Sequence, residues 1–230
     1  MKFDAIIQCR FNSSRMPGKI LLPIYNNLNS LDILIKNLKK VKQINNIILA
    51  IPSEKINNIF EYIAKKYDIK IYTSKIPDAN VLKRFFYCSK KFKSKNIIRI
   101  TSDCPFINIH LVKKMIDYYK KNNLTFLTNN KPRMIPHGFD CEIFSANILN
   151  TIFKKSYSLK QKEHVTLWYY QNELSKVINF KSFNKNFSKI RITLDYYSDY
   201  LSFIKNFKIY YNLSRSKNSE EILNKILKKK

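Results

Sequence analysis

The chain has 230 residues, of which 45% are hydrophobic and 14% aromatic, enough for one globular domain with a sizeable core. Two glycines and seven prolines exclude collagen-like and flexible-linker architectures. Four cysteines without a C-x-x-C pair exclude a disulfide-dense scaffold and most zinc ribbons. Neither a transmembrane run nor a signal peptide is evident, so the sequence predicts a soluble cytoplasmic protein with no membrane span.

The net charge of +27 comes from 43 Lys and Arg residues against 16 Asp and Glu residues. Such a surplus is found in proteins that bind nucleic acids or anionic surfaces, and their binding weakens steeply with salt. However, only seven of these cations are Arg, and the Lys residues are spread along a chain that is also rich in Ile and Asn. An AT-rich genome favours these three residue types through its codons. We therefore expect no specific nucleic-acid partner, and keep a non-catalytic nucleic-acid or anionic-surface binder as an alternative.

Up to residue 130, short apolar runs alternate with segments of helical periodicity. The apolar runs predict five strands, at 5–7, 47–51, 69–73, 97–101 and 124–128. The periodic segments predict four helices, at 30–42, 56–67, 81–92 and 112–119. This alternation is typical of an α/β protein with three α/β/α layers, in which helices cover both faces of a mainly parallel sheet.

After residue 130 the rhythm of the sequence changes. It predicts further strands at 139–144 and 189–194, and helices at 145–156, 161–173, 196–207 and 219–228. Because no linker or repeat divides the chain, we expect a single domain, with a βα core in residues 1–130 and an elaboration in residues 131–230. The aromatic residues Trp168, Tyr169 and Tyr170 are predicted either to form a dimer contact or to cover the core.

The loop after the first strand holds three cations, two hydroxyls and a glycine within ten residues. It reads Gln8-Cys9-Arg10-Phe11-Asn12-Ser13-Ser14-Arg15-Met16-Pro17-Gly18-Lys19. Arginine side chains bind phosphate oxygens with two N–H groups, and ligands of parallel sheets bind at the carboxyl ends of strands. Neither a Walker loop nor a dinucleotide fingerprint is present. The loop therefore predicts a nucleotide triphosphate site, with a solvated basic loop as the alternative.

Two acidic residues follow predicted strands in a chain that has few acids. Asp103 comes directly after the strand at 97–101, at the sheet edge that also carries the basic loop. Asp195 follows the strand at 189–194. A triphosphate reaction needs a divalent cation, and carboxylate oxygens are the ligands that hold it. Asp residues after strands also serve as turn formers or helix caps, and Asp199 is an alternative to Asp195.

The order R-x-x-S-x-R-x-P-G-K after an apolar strand resembles the nucleotide-binding signature of the cytidylyltransferase family. Within that family the sequence is most similar to the spore coat polysaccharide biosynthesis branch, SpsF. Five later segments resemble family motifs in the same order, at 80–85, 98–107, 137–144, 162–166 and 190–195. The chain departs from the family pattern at Asn12 and Ser102, where the family often has glycine.

The resemblance implies a nucleotide-diphospho-sugar transferase fold of the GT-A, Rossmann-like kind, with Mg²⁺, CTP and a sugar as ligands. It assigns the nucleotide to Gln8, Cys9, Arg10, Ser13, Ser14, Arg15, Gly18, Lys19, Arg84 and Ser102. It assigns catalysis to Arg15, Lys19 and Asp103, and the metal to Asp103 and Asp195. It assigns the sugar to Asp140, Glu142, Glu163 and His164, for which a solvent-facing strand edge and a structural histidine are the alternatives.

The reaction that the resemblance implies is transfer of CMP from CTP to an acidic keto-sugar, with release of pyrophosphate, for surface polysaccharide or glycan biosynthesis. A glycosyltransferase of the same fold, using a nucleotide-sugar donor, is the alternative enzyme. Such enzymes usually carry a D-x-D pair, whereas Ser102-Asp103-Cys104 supplies one Asp, which favours nucleotidyl transfer. A homodimer is left open.

Overall fold

The computed structural model describes residues 1–228, and Lys229 and Lys230 lie outside the described part of the chain. The strands of this part are β1 (Phe3–Gln8), β2 (Pro23–Tyr25), β3 (Leu28–Asn29), β4 (Ile44–Pro52), β5 (Lys70–Ser74), β6 (Asn96–Thr101), β7 (Phe126–Thr128), β8 (Glu142–Ser145) and β9 (Ile178–Asn179). The helices are α1 (Ser30–Leu38), α2 (Ile59–Lys66), α3 (Val81–Lys91), α4 (Ile109–Lys121), α5 (Ala146–Lys155), α6 (Leu159–Glu163), α7 (Leu167–Asn172), α8 (Tyr197–Lys205), α9 (Phe207–Arg215) and α10 (Ser219–Leu227).

A seven-stranded sheet forms the middle layer, in the order β5-β4-β1-β6-β8-β7-β9. Strands β5, β4, β1 and β6 are parallel to one another, β8 runs antiparallel to both of its neighbours, and β9 is parallel to β7. Strands β2 and β3 form a separate hairpin. The mainly parallel sheet predicted from the alternating runs is confirmed.

Helices cover both faces of the sheet, because successive side chains of each strand point to opposite sides. On β1, Ala5 and Ile7 pack into a core that contains side chains of α1, α2, α4, α8, α9 and α10. Ile6 packs into a second core, with side chains of α3, α5 and α7. Each interior strand is therefore buried on both faces, as its nearly unbroken apolar sequence predicts.

The parallel pairing of β1 with β6 brings the predicted site segments together. Gln8, the last residue of β1, lies opposite Thr101, the last residue of β6. The basic loop that follows Gln8 and the Ser102-Asp103 turn that follows Thr101 therefore leave the same edge of the sheet side by side.

The strand predicted at 189–194 is not part of the sheet. Ile190, Ile192 and Leu194 of this segment are buried, whereas Lys189 and Arg191 are exposed. The segment has an isolated bridge between His137 and Arg191, and the N–H of Leu194 donates to Asp103 O. The backbone N–H of His137 donates to Ile190 O, and the N–H of Ile192 donates to His137 O. Its apolar residues, Ile190, Ile192 and Leu194, pack into the first core and alternate with polar ones, so the sequence resembles that of a sheet strand.

The single helix predicted at 161–173 is divided into α6 and α7. Val165 has a φ of 30°, outside the right-handed helical region, and its buried side chain belongs to the second core. The break leaves His164 exposed and Thr166 buried, and both line the same cavity. The side chains of Trp168 and Tyr169 are buried in the same core, so they cover the core and do not form an exposed dimer contact.

Several short elements have no counterpart in the predicted pattern. The β2–β3 hairpin turns at Asn26 and Asn27, whose φ values of 44° and 60° are positive, a conformation that Asn tolerates. Helix α9 follows α8 after a break at Asn206, and β9 has only two residues.

No helix among residues 1–228 combines the length and the apolar composition that crossing a bilayer requires.

Candidate active site

A cleft of about 320 Å³ opens at the carboxyl edge of β1 and β6. Most of the residues predicted to bind the nucleotide line it, and they are Gln8, Cys9, Arg10, Ser13, Ser14, Arg15, Lys19, Arg84 and Ser102. Asp103, Asp195, Glu163 and His164 line the same cleft. The structure thus gathers segments that are up to 187 positions apart, from Gln8 to Asp195, around one opening.

Lys19 lies between the two carboxylates that sequence reasoning assigned to a metal. Its Nζ atom is 3.0 Å from Asp195 Oδ1 and 3.5 Å from Asp103 Oδ2. The Lys19 side chain is only 9% exposed, whereas that of Asp103 is 29% exposed. The basic loop and the two acidic residues therefore converge on one rim of the sheet, and their roles stay predictions.

The position of Lys19 depends on Gly18, which has a φ of 70° and precedes a short 3₁₀ turn, Lys19–Leu21. The N–H of Gly18 donates to Phe11 O and so closes the loop on itself. Asn12 and Ser102, the two departures from the family pattern, are not among the described residues with positive φ. The loop therefore adopts its conformation without glycine at these two positions.

Asp195 accepts from three cations. Besides Lys19, Arg15 lies 2.5 Å from Asp195 Oδ1, and Arg191 pairs with Oδ2. Burial tends to raise the pKa of Asp195, but Lys19 and Arg15 outweigh it and hold that pKa below its ordinary value. Asp199 instead accepts from the backbone N–H groups of Asp195 and Tyr196 at the start of α8, so it serves as the helix cap.

Arg84 forms the far wall of the cleft and is almost completely buried. Its guanidinium donates to the backbone carbonyls of Pro77 and Asp78, and its Nε has no partner among residues 1–228. Arg10 pairs with the Asp78 carboxylate at 3.0 Å. Backbone carbonyls hold Arg84 at the cleft, and the Asp78 carboxylate is shared by Arg10 at 3.0 Å and Arg84 at 3.8 Å.

Two further cavities adjoin the cleft. One, of about 210 Å³, is lined by Asp103, Asp140 and Glu142, among others, and so shares Asp103 with the cleft. The other, of about 440 Å³, is lined by Glu142 and by His164, which also borders the cleft. All four residues predicted to contact the sugar therefore lie in or beside this connected space.

The Asp140 and Glu142 carboxylates are held by partners within the protein. Asp140 pairs with both terminal nitrogens of Arg133 and also accepts from Asn130 and from the N–H of Gly138. Burial tends to raise the pKa of Asp140, but these hydrogen bonds outweigh it and hold that pKa below its ordinary value. Asp140 is therefore ionised at neutral pH and holds Arg133 in place.

Glu142 is more deeply buried, with its side chain 4% exposed. It accepts from Arg99 at 2.7 Å, from Thr166 Oγ1 at 2.9 Å and from the Tyr170 hydroxyl at 2.5 Å. Burial, followed by the charge of Glu142, raises the pKa of Tyr170. Tyr170 therefore donates to a charged carboxylate and does not ionise.

The site thiols are buried and protonated. Burial is the main cause that raises the pKa of Cys9 and of Cys104, and the charge of Asp103 adds to it for Cys104. The four cysteines are all free and buried. Cys104 therefore packs beneath Asp103, and a thiolate nucleophile is not expected there.

Sequence reasoning missed several polar residues of these cavities, among them Arg99, Arg133, Thr193 and Tyr170. A signal was present for Arg99, because it interrupts the apolar run of β6, a position where an unpaired charge is costly. Arg191 similarly interrupts the apolar segment before Asp195. Tyr170 carried no signal, since an aromatic residue on a helix usually packs in a core.

A mainly parallel sheet with a cationic loop and two carboxylates at its carboxyl edge defines a nucleotidyltransferase of the nucleotide-sugar transferase fold. A family model described as cytidylyltransferase matches residues 5–227. The chain belongs to the cytidylyltransferase family.

Known proteins of similar sequence or structure agree with this membership. The spore coat polysaccharide biosynthesis protein SpsF of Bacillus subtilis is 30% identical over 170 residues, covering 71% of this chain and 68% of that protein. A cytidylyltransferase of Leptospira borgpetersenii superposes with a TM-score of 0.88 at 28% identity, covering 100% of this chain and 94% of that one. CMP:2-keto-3-deoxy-manno-octonic acid synthetase, solved with CTP, shares the fold, with a TM-score of 0.69 at 13% identity over 90% of this chain and 99% of that one.

Proposed function

We propose that this protein transfers CMP from CTP to a hydroxyl of an acidic keto-sugar and releases pyrophosphate. The observation that carries the proposal is the position of Lys19 between Asp103 and Asp195, in a cleft lined by the loop after β1. Family membership supports the reaction class, and the SpsF relative and the synthetase solved with CTP support the choice of nucleotide and sugar. The product would serve surface polysaccharide or glycan biosynthesis in the cytoplasm.

In this proposal, the cations of the basic loop bind the triphosphate. Arg10 and Arg15 are 40% and 50% exposed, so their guanidinium groups are free to turn onto phosphate oxygens. Lys19 is fixed by its two carboxylates and stabilises the charge that develops on the leaving pyrophosphate. The acceptor oxygen bonds to the α-phosphorus as the bond to pyrophosphate breaks, and no nucleophile from the protein takes part. The protein contributes position and electrostatic stabilisation.

Asp103 and Asp195 fit Mg²⁺, because their oxygens already converge on one positive charge and are the hard donors that this ion prefers. Among residues 1–228 no group of three or more His, Cys, Asp or Glu side chains is arranged to hold a metal. Mg²⁺ is commonly held by one or two carboxylates together with substrate phosphates and water. When bound, it polarises the phosphate and neutralises its charge. Asp103 and Asp195 would hold the ion, and Lys19 and Arg15, which lie beside Asp195, would contact phosphate oxygens.

The acceptor fits the two cavities that adjoin the cleft. The smaller one borders Asp103, so a hydroxyl placed there lies next to the proposed metal site. Glu163 and His164 are both exposed and line the nucleotide cleft, and His164 also lines the larger cavity. Glycosyltransferases of this fold typically hold the metal with a D-x-D pair. Here the two proposed metal ligands come from different segments, Asp103 after β6 and Asp195 before α8. The arrangement favours nucleotidyl transfer over glycosyl transfer.

The test is pyrophosphate release by the purified protein with CTP, Mg²⁺ and a panel of acidic keto-sugars. We expect release with at least one acid, release that is faster with CTP than with UTP or ATP, and loss of release in Asp103→Ala. Asp117→Ala, on the exposed face of α4, is the matched control and should keep full activity. Activity in Asp103→Ala equal to that of the control would contradict the proposed site, and an intact nucleotide-sugar as the only productive substrate would indicate glycosyl transfer.

A further inference from the structure

Two buried polar atoms that belong to residues lining the smaller cavity have no hydrogen-bond partner within residues 1–228. They are Arg99 Nε and Thr193 Oγ1, both buried from solvent. Both residues line the cavity of about 210 Å³ that also borders Asp103. Buried donors without partners are costly, so two of them at one cavity indicate a polar group that is bound there during function.

Arg99 is fixed on both sides. Its Nη1 atom donates to Glu142 Oε2 at 2.7 Å, and its Nη2 atom donates to Gln8 Oε1 at 3.2 Å. Glu142 is itself held by Thr166 and Tyr170. The guanidinium therefore bridges the nucleotide side, through Gln8, and the acceptor side, through Glu142. Its Nε–H is the one donor group for which the described residues supply no acceptor.

The pairing of charges around the two cavities leaves one cation available to an anionic group of the acceptor. The carboxylates of Glu142 and Asp140 are each neutralised by an arginine, Arg99 and Arg133. The larger cavity, which shares Arg99 and Glu142 with the smaller one, adds the exposed cation Lys131 at its mouth. Because Arg99 and Arg133 are already paired, Lys131 is the cation of the larger cavity that has no carboxylate partner among the described residues, and an acceptor carboxylate would balance this one charge.

We propose that Arg99 is a specificity residue that binds the carboxylate of the acceptor, with the Thr193 hydroxyl as its second donor and Glu142 as a positioning residue. This inference rests on the proposed function and deepens it. In this arrangement Glu142 does not contact the sugar, because its oxygens are engaged by Arg99, Thr166 and Tyr170. It holds the Arg99 guanidinium in position for the acceptor, next to the hydroxyl that reacts beside Asp103.

The experiment measures binding of 2-keto-3-deoxy-manno-octonic acid, N-acetylneuraminic acid and their methyl esters to protein loaded with the α,β-methylene analogue of CTP. The ester removes the negative charge and keeps the reactive hydroxyl. We expect wild-type protein to bind at least one acid about tenfold or more tighter than its ester. Arg99→Gln should bind that acid and its ester equally, and Arg99→Lys should retain part of the preference.

Thr193→Val is the second variant, because it keeps the volume of the side chain and leaves the Arg99–Glu142 pair intact. It should weaken binding of the acid more than binding of the ester, and Thr193→Ser should restore the difference. Arg215→Gln, at the end of α9 beside Asn37, removes the same charge outside the cavities and is the matched control. In turnover, Thr193→Val should raise the KM for the acid and leave the KM for CTP within about twofold.

The inference is overturned if wild-type protein binds neither acid, if it binds acid and ester equally, or if Arg99→Gln and Thr193→Val both keep the wild-type preference. Transfer of CMP to a neutral sugar by wild-type protein would uphold the proposed reaction and overturn the role of Arg99. Conversely, an Arg99-dependent preference for an acid without pyrophosphate release would uphold Arg99 and overturn the proposed reaction.

Discussion

The proposed nucleotide side and the proposed acceptor side of the site hold their charged side chains in different ways. On the nucleotide side, Arg10 and Arg15 are half-exposed and have one carboxylate contact each, so they are available to a ligand. On the acceptor side, Arg99 and Arg133 are more buried, and each is fixed by a carboxylate that also accepts from other groups. The first side provides mobile cations, and the second provides a rigid polar wall.

In the proposed function, the difference follows from what each side would bind. A triphosphate is flexible and highly charged, and long exposed side chains can follow it into the transition state. A sugar is rigid and is distinguished by the positions of its polar groups, so donors that are fixed beforehand give discrimination. Variants of the nucleotide side should therefore change activity with little change in stability, whereas variants of the acceptor side should change both.

The largest effects are expected for substitutions of Asp103 and Glu142, and the two should differ in kind, one lowering activity and the other lowering stability. Asp103→Asn removes a carboxylate that is 29% exposed, and we expect kcat to fall by about 10³-fold with little loss of stability. Glu142→Gln leaves Arg99 without its carboxylate partner, and we expect a loss of about 3 kcal/mol in the free energy of unfolding. Urea denaturation and single-turnover assays measure the two quantities, and equal stability losses in both variants would contradict the comparison.

The two glycines of the chain, Gly138 and Gly18, should also differ in how much stability a substitution costs. A Cβ at Gly138 would lie 2.3 Å from the Ile192 carbonyl oxygen, at a φ of 101°. Because backbone cannot move aside cheaply, Gly138→Ala should cost about 3 kcal/mol and displace the segment that carries Asp195.

At Gly18 the nearest atom is the Phe11 ring, at 3.0 Å, and a side chain can shift. Gly18→Ala should therefore cost only about 1–2 kcal/mol, from its positive φ. Thermal denaturation of both variants measures the difference. A smaller loss in Gly138→Ala than in Gly18→Ala would show that the His137–Ile192 contact is not rigid.

Within the nucleotide side, burial should rank Lys19 and Arg15, two of the three cations that pair with Asp195. Lys19→Met removes a buried ammonium between two carboxylates, and we expect about a 100-fold loss of kcat/KM for CTP. Arg15→Met removes a half-exposed group, and we expect about a tenfold loss with stability unchanged. Steady-state kinetics with varied CTP measures both, and Lys208→Met, on the exposed face of α9, is the control.

The smallest expected effect is a pH dependence of stability from Asp140. The pKa of Asp140 is held below its ordinary value in the folded protein, so its contribution is complete above the unfolded pKa of about 3.9 and is lost as pH falls through the folded pKa. Asp140→Asn should therefore be less stable than wild type at pH 7 and should lose less stability between about pH 4 and pH 2. Urea midpoints across this range measure the slopes, and parallel slopes would contradict an ionised Asp140.

The order of residues along the chain was enough to predict the alternating core, the loop after β1 and Asp103. Each of these depends on local periodicity or on neighbours within about ten positions, and the pairing of Gln8 with Thr101 follows from adjacent parallel strands. The break at Val165 and the extended segment before Asp195 were not predictable in this way. Both result from packing against distant residues, which overrides local preference.

By itself, the sequence determined the layered α/β fold and the cationic loop, because burial of alternating apolar runs leaves few other arrangements. Only the tertiary structure decided which charges face the ligand and which face each other. Arg99 and Glu142 are 43 positions apart in the sequence, and they pair because β6 and β8 are neighbours in the sheet. Such residues pair because a buried charge without a partner is costly, and no local sequence pattern predicts which residue the partner will be.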